Sequence, residues 1–437
     1  MALSETPRSR PALVLRGGTV VDQLGTRRAD VLVSGGLIRQ VAPELDGPPG
    51  AAVVLDATGC VVAPGLVDLH THLRQPGREE AETVASGSRA AALGGYSAVV
   101  AMPNTEPAID NAAVVAAVAE LGRSALVEVA VAGAITVGRQ GRALAPLAEM
   151  ADLGVRLFTD DGAGVQDGRL MRRALEYASG LGVTLAEHCE DEALAAGGVM
   201  HEGAWSSRLG LPGQPAEAEE LMVMRDIALC RLTGSRLHFL HLSTAGSVAM
   251  LRGARAAGLP VTAEVTPHHL SLTDAEVSGY DPVFKVNPPL RTPADVAALK
   301  AALADGTVDA IATDHAPHPQ EAKELPFDEA PPGMLGLETA LAVVLDADAA
   351  PLDRVLAALS WVPARIAGLE QRHGGPVEAG RPANLCVFDP EELWVVDPAT
   401  LASRSRNTPF AGRRLRGRVR HTVVEGEAVV RDGKATR

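Results

Sequence analysis

The sequence predicts an α/β fold, a (β/α)8 TIM-type barrel with a smaller β-sandwich domain formed by the two chain ends. Three observations predict it. Eight short apolar runs recur at roughly 30-residue spacing, the length of one strand–helix unit: GLVDLHTHL, YSAVVAMPN, VEVAVAGAIT, VRLFTDD, VTLAEHCED, RLHFLHLS, VTAEVTPHHL and VDAIATDHAPH. Polar, metal-competent residues (His70, His72, Asn104, Asp161, His188, His241, Asp314) stand at the C-terminal ends of these runs, and strand C-termini form the active face of such barrels. Both chain ends, in contrast, read as β-hairpin text broken by Gly, Asp and Pro.

In chain order, residues 1–10 read as a disordered lead-in. Residues 11–64 (ALVLRGGTVVD, ADVLVSGGLIRQVA, AAVVLDATGCVVAP) form the first part of the sandwich, and 369–437 (ANLCVFDP, ELWVVDP, HTVVEGEAVVRDG) return to complete it. Between them, residues 65–368 form the barrel. Segments such as GRLMRRALEYASGLG and AEAEELMVMRDIALCRLTG carry helical periodicity between its strands.

A chain of 437 residues, 46% hydrophobic and 22% charged, supplies a sizeable core for one large domain with a satellite. Aromatics make up only 3%, so Ala, Val and Leu must do most of the packing. The net charge of −14, without a long basic run, excludes nucleic acid and anionic membrane as main partners. An anionic substrate must therefore be gripped locally. The N-terminal segment lacks the apolar centre of a signal peptide, and no apolar run reaches the ~18 residues of a membrane span. Cys60, Cys189, Cys230 and Cys386 show no C-x-x-C spacing and read as reduced, buried thiols of a cytoplasmic protein.

The chemistry starts at His70 and His72. Residues two apart on a strand share a face, so an H-x-H at a strand end aims two imidazoles at one point, as a divalent metal requires. The bland alternative, two polar residues facing solvent, fits poorly with their apolar context. His188 and His241 also end apolar runs. Either alone would pass for a rim histidine; beside H-x-H on a barrel they read as further ligands. His238 is out of phase with His241 and reads as structural, and His315 carries no role. His201, His268, His269, His373 and His421 have no metal spacing.

Asp314, in TDHAPH, is the carboxylate placed for acid–base work. Beside a metal-activated water it would accept a proton and return it to a leaving nitrogen; the plain alternative is an N-cap. FTDDG offers two carboxylates, and strand alternation does not decide between Asp160 and Asp161. Arg74 follows the H-x-H on the same rim. Asn104, Asn287 and His318 lie at equivalent places on other strands. Together they suit a carboxylate, with support of the ligands as the alternative. The polar, Pro-rich stretch 317–339 reads as a lid or a plain βα loop.

With H-T-H-L-R, A-M-P-N, F-T-D-D-G, E-H-C-E, H-L-S-T, N-P-P-L-R and T-D-H-A-P-H in order, the chain resembles the amidohydrolase superfamily, and within it the type I dihydroorotases, from about residue 12 to 430. The resemblance implies one or two zinc ions held by His70, His72, His188 and His241, with Asp161 bridging and Asp314 both ligand and general acid/base. It implies substrate contacts from His72, Arg74, Asn104, Asn287 and His318, with backbone at Pro332 and Gly333. The implied reaction is reversible closure of N-carbamoyl-L-aspartate to L-dihydroorotate in pyrimidine (UMP) biosynthesis. A homo-oligomer, and a complex with aspartate transcarbamoylase, are the implied partners. The rival readings are a dihydropyrimidinase, hydantoinase or allantoinase, and a scaffold subunit without activity. Many relatives bridge their metals with a carboxylated lysine on the fourth strand, where this chain offers carboxylates instead.

Overall fold

The computed structural model describes residues 11–46 and 52–437; the expected lead-in, 1–10, lies outside the described residues. The chain opens with five strands, β1 (Leu13–Asp22), β2 (Gly25–Ser34), β3 (Leu37–Ala42), β4 (Val53–Asp56) and β5 (Val61–Pro64). Gly35 and Gly36 join β2 to β3 with φ of 61° and 79°, the pair of positive values that a two-residue type I′ hairpin demands.

Eight parallel strands follow. They are β6 (Leu66–Thr71), β7 (Tyr96–Ala101), β8 (Glu128–Val131), β9 (Leu157–Thr159) and β10 (Thr184–Glu187), then, after a two-strand ribbon of β11 (Met200–His201) and β12 (Gly213–Gln214), β13 (Leu237–Phe239), β14 (Val261–Val265) and β15 (Ala310–Ile311). Each apolar run named above contains one of them. The pairing forms two arcs, β6-β7-β8 and β9-β10-β13-β14-β15. Parallel bridges Gly133–Phe158 and Thr71–His315 join the arcs at both seams, so the barrel closes.

Helices alternate with the strands: α1 (Val84–Leu93), α2 (Ala112–Gly122), α3 (Leu147–Asp152), α4 (Gly168–Leu181), the short α5 (Glu192–Ala195) and α6 (Ala204–Leu209), then α7 (Glu217–Thr233), α8 (Ala245–Ala256) and α9 (Pro293–Ala304). Their starts are capped as the sequence allows. Asp167 accepts from the Arg169 and Leu170 amides at the start of α4, and Thr292 with Asp295 forms a capping box ahead of Pro293 in α9. The short α10 (Gln320–Lys323) sits in the loop after β15.

Small side chains fill the barrel interior. Ala98, Ala132, Ala186, Ala310 and Ala312 pack there with Val67, Leu69, Val100 and Leu157, which is how a chain poor in aromatics closes an eight-stranded core. Among the described residues, no helix is long and apolar enough to cross a membrane.

The C-terminal strands β16 (Leu385–Val395), β17 (Arg414–Val424), β18 (Glu427–Arg431) and β19 (Lys434–Ala435) join the N-terminal ones in a single nine-stranded sheet. The seam is β5 against β16, antiparallel from Leu385–Pro64 to Phe388–Val61. ANLCVFDP and ELWVV, read as two runs, form one strand with a register shift between Asp389 and Leu393. That irregularity accommodates Pro390, which has no amide to give a ladder.

Alternation assigns the two faces. Val62, Leu385 and Val387 point into the sheet's own core with Leu15, Val31 and Val423, whereas Val61, Ala63, Cys386 and Phe388 pack against the barrel.

Candidate metal centre and substrate cavity

The strand ends bring the predicted residues together. His70 ends the apolar run of β6, and its Nδ1 donates to Glu264 Oε1 at 3.0 Å. Its Nε2 faces Asp161 Oδ1 at 3.3 Å and Asp314 Oδ1 at 3.5 Å. That Nε2 is buried with no hydrogen-bond partner. His72 gives its Nδ1 proton to Asn104 Oδ1 at 2.8 Å and turns Nε2 to Asp314 Oδ1 at 3.0 Å.

On the other side, His188 Nδ1 lies 3.0 Å from His241 Nε2, and both atoms stand 3.6 Å from Asp161 Oδ1. Among the described residues, His70, His72 and Asp314 form one group able to hold a cation, and His70, Asp161 and His241 form another; in each the donor atoms lie within 4.8 Å of one another.

These contacts fit a bound cation. With Nδ1–H committed to Asn104, a neutral His72 meets a carboxylate with a bare Nε2, lone pair against lone pair. Burial lowers the His72 pKa, so the neutral ring is favoured and the pair asks for a positive charge between them. Burial also works against charging His70, but the Asp161 and Asp314 carboxylates outweigh it and raise its pKa well above the usual value. In turn, burial raises the Asp314 pKa while His70 and His72 pull it below the carboxylate range, and the net shift is down. A cluster of imidazoles and carboxylates is the donor set of zinc and related transition metals.

The backbone is strained at this rim. Arg74, His241 and Asp314 take φ values of 59°, 27° and 46°, in the region that L-residues seldom occupy and that gathers at functional sites. Hydrogen bonds fixed by tertiary contacts hold the rim in place. Asp68, inside β6, accepts from Thr71 Oγ1 at 2.6 Å and from the Thr313 amide and hydroxyl at 2.8 and 2.6 Å. It thereby stitches the first strand to the last, just below Asp314.

Structure separates the two carboxylates of FTDDG. Asp160 turns back, accepting from the Ile135 and Thr136 amides at 2.8 and 3.1 Å and from the Thr136 hydroxyl. Asp161 turns into the histidine cluster.

A cavity of about 260 Å³ opens on the cluster and is lined by His72, Arg74, Asn104, Asp161, His188, His241, Asn287, Asp314, His318, Pro332 and Gly333, with Arg78 at its edge. Arg74 is 8% exposed and donates Nε to Pro317 O at 3.2 Å. Burial pushes its pKa down to about 10, so it remains a cation at neutral pH. His318 donates Nε2 to Pro332 O at 2.8 Å. Asn104 also donates Nδ2 to Asp161 Oδ2 at 3.2 Å. Asn287 Nδ2 stands 3.5 Å from His188 Nε2.

Pro332 and Gly333 line the cavity, and their backbone groups are engaged within the protein. The Gly333 amide, expected to meet substrate, donates to Lys285 O at 2.9 Å, and its carbonyl accepts from Asn407 Nδ2 at 3.1 Å. Pro332 has no amide, and its carbonyl is taken by His318. These contacts fix the loop as one wall of the cavity.

Sequence reading missed four residues. Glu264 takes His70 Nδ1 on one oxygen and His238 Nε2, at 3.1 Å, on the other, which also explains why His238 stays out of the cluster. Asp68 and Glu264 each sat inside an apolar run, and a lone acid in a buried strand is the signal that points to them. Asn407 reaches in from the C-terminal segment to the His318 amide at 3.2 Å, and no local pattern marks it. Arg291, 1% exposed, donates to Ser243 Oγ and Gln214 O, both at 3.1 Å, and faces His201 Nδ1.

Known proteins supply an independent comparison. A Dihydro-orotase-like family model matches residues 59–247, and an Amidohydrolase family model matches 241–430. The chain is 49% identical over 427 residues to a dihydroorotase of Pelotomaculum thermopropionicum, covering 96% of this chain and 99% of that one. It is 51% identical over 430 residues to a dihydroorotase of Streptomyces coelicolor, covering 97% and 99%. Among solved structures, an L-hydantoinase (dihydropyrimidinase) from Arthrobacter aurescens superposes with a TM-score of 0.88 at 25% identity, covering 97% of each chain. A D-hydantoinase from a Bacillus species gives 0.85 at 27%, covering 97% and 96%.

Proposed function

This chain belongs to the dihydroorotase family of amidohydrolases, and from that premise we infer that it interconverts N-carbamoyl-L-aspartate and L-dihydroorotate. It is a hydrolase of cyclic amides. The observation that carries the substrate assignment is Arg74, a buried cation sharing one small cavity with the histidine–carboxylate cluster. A neutral ring has no use for that charge, whereas a ring bearing a carboxylate does.

We assign His70, His72, His188 and His241 with Asp161 and Asp314 as the residues that would hold zinc, one ion or two. When bound, zinc supplies Lewis acidity and lowers the pKa of water from ~15.7 towards about 7. The remaining work falls to side chains. Arg74 binds the ring carboxylate, with Asn287 and His318 beside it. Asn104 holds His72 and Asp161 in place. Asp314 takes the proton of the attacking water and delivers it to the ring nitrogen as the carbon–nitrogen bond breaks. The new carboxylate and the ureido group leave as N-carbamoyl-aspartate. In the closing direction Asp314 accepts the proton from that nitrogen.

The solved structures of hydantoinases favour, as a second reading, a neutral cyclic substrate. Turnover of dihydroorotate against dihydrouracil, hydantoin and allantoin in one zinc-loaded preparation decides between them, and preference for the neutral rings overturns the assignment.

Residues 65–368 are the proposed catalytic unit, with 11–64 and 369–437 as its companion domain. A cytoplasmic location is supported by four buried, unpaired cysteines. A homo-oligomer is supported by Leu221, Met224 and Leu232, 43%, 54% and 61% exposed along α7. Copurification with aspartate transcarbamoylase tests the remaining partner.

A further inference from the structure

Two loops wall the outer side of the cavity. One follows β14 and carries Asn287; the other follows β15 and carries His318 and Pro331–Gly333. Each sends a lysine into the backbone of the other. From α10, Lys323 Nζ donates to Pro282 O at 3.0 Å and Lys285 O at 3.3 Å across the gap, and to Pro331 O at 2.8 Å in its own loop. In return, Lys285 Nζ donates to Asp328 O at 2.9 Å, with Phe327 under its ammonium at 5.7 Å. Lys285 O accepts the Gly333 amide as well. Three carbonyls match the three N–H groups of an ammonium, and no carboxylate takes part in this set of contacts.

We propose that Lys323 is a positioning residue for substrate, a clip whose ammonium ties the Asn287 loop to the Pro331–Gly333 loop and so fixes the wall against which the ring and its carboxylate are held. This rests on the dihydroorotase reading above and goes beyond it, because Lys323 does not line the cavity and touches no reacting atom. The contacts it makes are to main chain, so it sets loop geometry rather than charge at the substrate.

A second property follows from the same placement. Burial, reinforced by the Lys285 ammonium and opposed by Asp281, pushes the Lys323 pKa down to about 7. His318 lies within the field of the same ammonium and of Arg74, whose charges help burial lower its pKa. Above neutrality the amine keeps two donors for three carbonyls, and the clip loosens.

The test uses the zinc-loaded, full-length protein with dihydroorotate as substrate. Lys323→Met is expected to raise KM about tenfold, which corresponds to about 1.4 kcal/mol, with kcat changed less and zinc per chain unchanged. Lys323→Arg is expected to recover part of the loss. A folded, zinc-replete K323M with KM within about twofold of wild type overturns the proposal.

Should K323M not fold, the wild-type pH profile decides. KM is expected to climb from about pH 6 to about pH 9, and K323R, charged throughout, to climb less. A flat wild-type KM, or the same climb in K323R, overturns the clip. Wild type that leaves dihydroorotate untouched fails the dihydroorotase reading itself, whereas active wild type with an indifferent Lys323 fails only the clip.

Discussion

At the scale of single residues, the site depends on which atom of each side chain is already spent. His70 commits Nδ1 to Glu264, and that leaves Nε2 bare for a cation. Burial works to raise the Glu264 pKa, but hydrogen bonds from His238 and His70 bring it down to about 2, so the carboxylate is ionised and fixes the tautomer. Glu264→Gln is therefore expected to weaken zinc binding about 10–100-fold, measured by competition with a chromophoric chelator. Asp314→Asn is expected to lose activity by about 10²–10⁴-fold, the usual share of a positioned acid–base group, while metal analysis still finds substantial zinc; unchanged turnover would remove Asp314 from proton transfer.

Glu338 gives a pH test away from the histidine cluster. Burial, with Glu82 nearby, lifts its pKa to about 7 although the Ala402 and Ser403 amides donate to it. The folded state then holds a proton that the unfolded state releases near the ordinary glutamate value of ~4.3, so this group's contribution to stability is present at low pH and is lost as pH rises through about 7. Glu338→Gln is expected to melt higher than wild type above neutrality and to lose that part of the pH slope. Equal melting curves at high pH would refute it.

At the scale of elements, the rim is set by how the barrel's first and last strands are joined. β15 is only two residues long, too short to hold Asp314 by its ladder alone. Asp68 does that work from β6, through the Thr313 amide and hydroxyl. Asp68→Ala leaves the Thr313 amide and the Thr71 hydroxyl without a partner and the Thr313 hydroxyl with only the His70 carbonyl at 3.4 Å, at about 1–3 kcal/mol for each lost partner where no water enters. The expectation is a destabilisation of at least about 3 kcal/mol in urea unfolding, with activity reduced because Asp314 loses its support. A variant as stable as wild type would show that the seam is held elsewhere.

At the scale of the molecule, an acidic chain keeps a buried arginine beside its candidate metal site. The net charge is −14, yet the buried Arg74 places a positive charge in the cavity beside the histidine–carboxylate cluster. On the proposed metal-bound reading, removing the ion would leave Asp161 and Asp314 buried among imidazoles without that counter-charge. Chelation is expected to lower Tm, and added zinc to restore it, since a ligand of the folded state stabilises by about 4 kcal/mol at 1,000 times its Kd; a Tm indifferent to both would argue against a resident metal. The nine-stranded sheet binds the chain ends into one unit, with β16 in its middle.

The sequence by itself determined the eight strand–helix units, the joining of the two β-rich ends, and the strand ends that carry His70, His72, His188, His241 and Asp314. Those features are local, because strand period, turn residues and spacing are written in neighbouring letters. Strand alternation leaves Asp160 and Asp161 open and the resemblance implies Asp161; tertiary structure supplies the reason, since the Ile135 and Thr136 amides pull Asp160 away from the cluster. Tertiary structure alone decided that Glu264, Asp68 and Asn407 hold the site, and that Gly333 gives its amide to Lys285. Each of these is a hydrogen bond between segments distant in sequence, and its partner exists only once the barrel has closed.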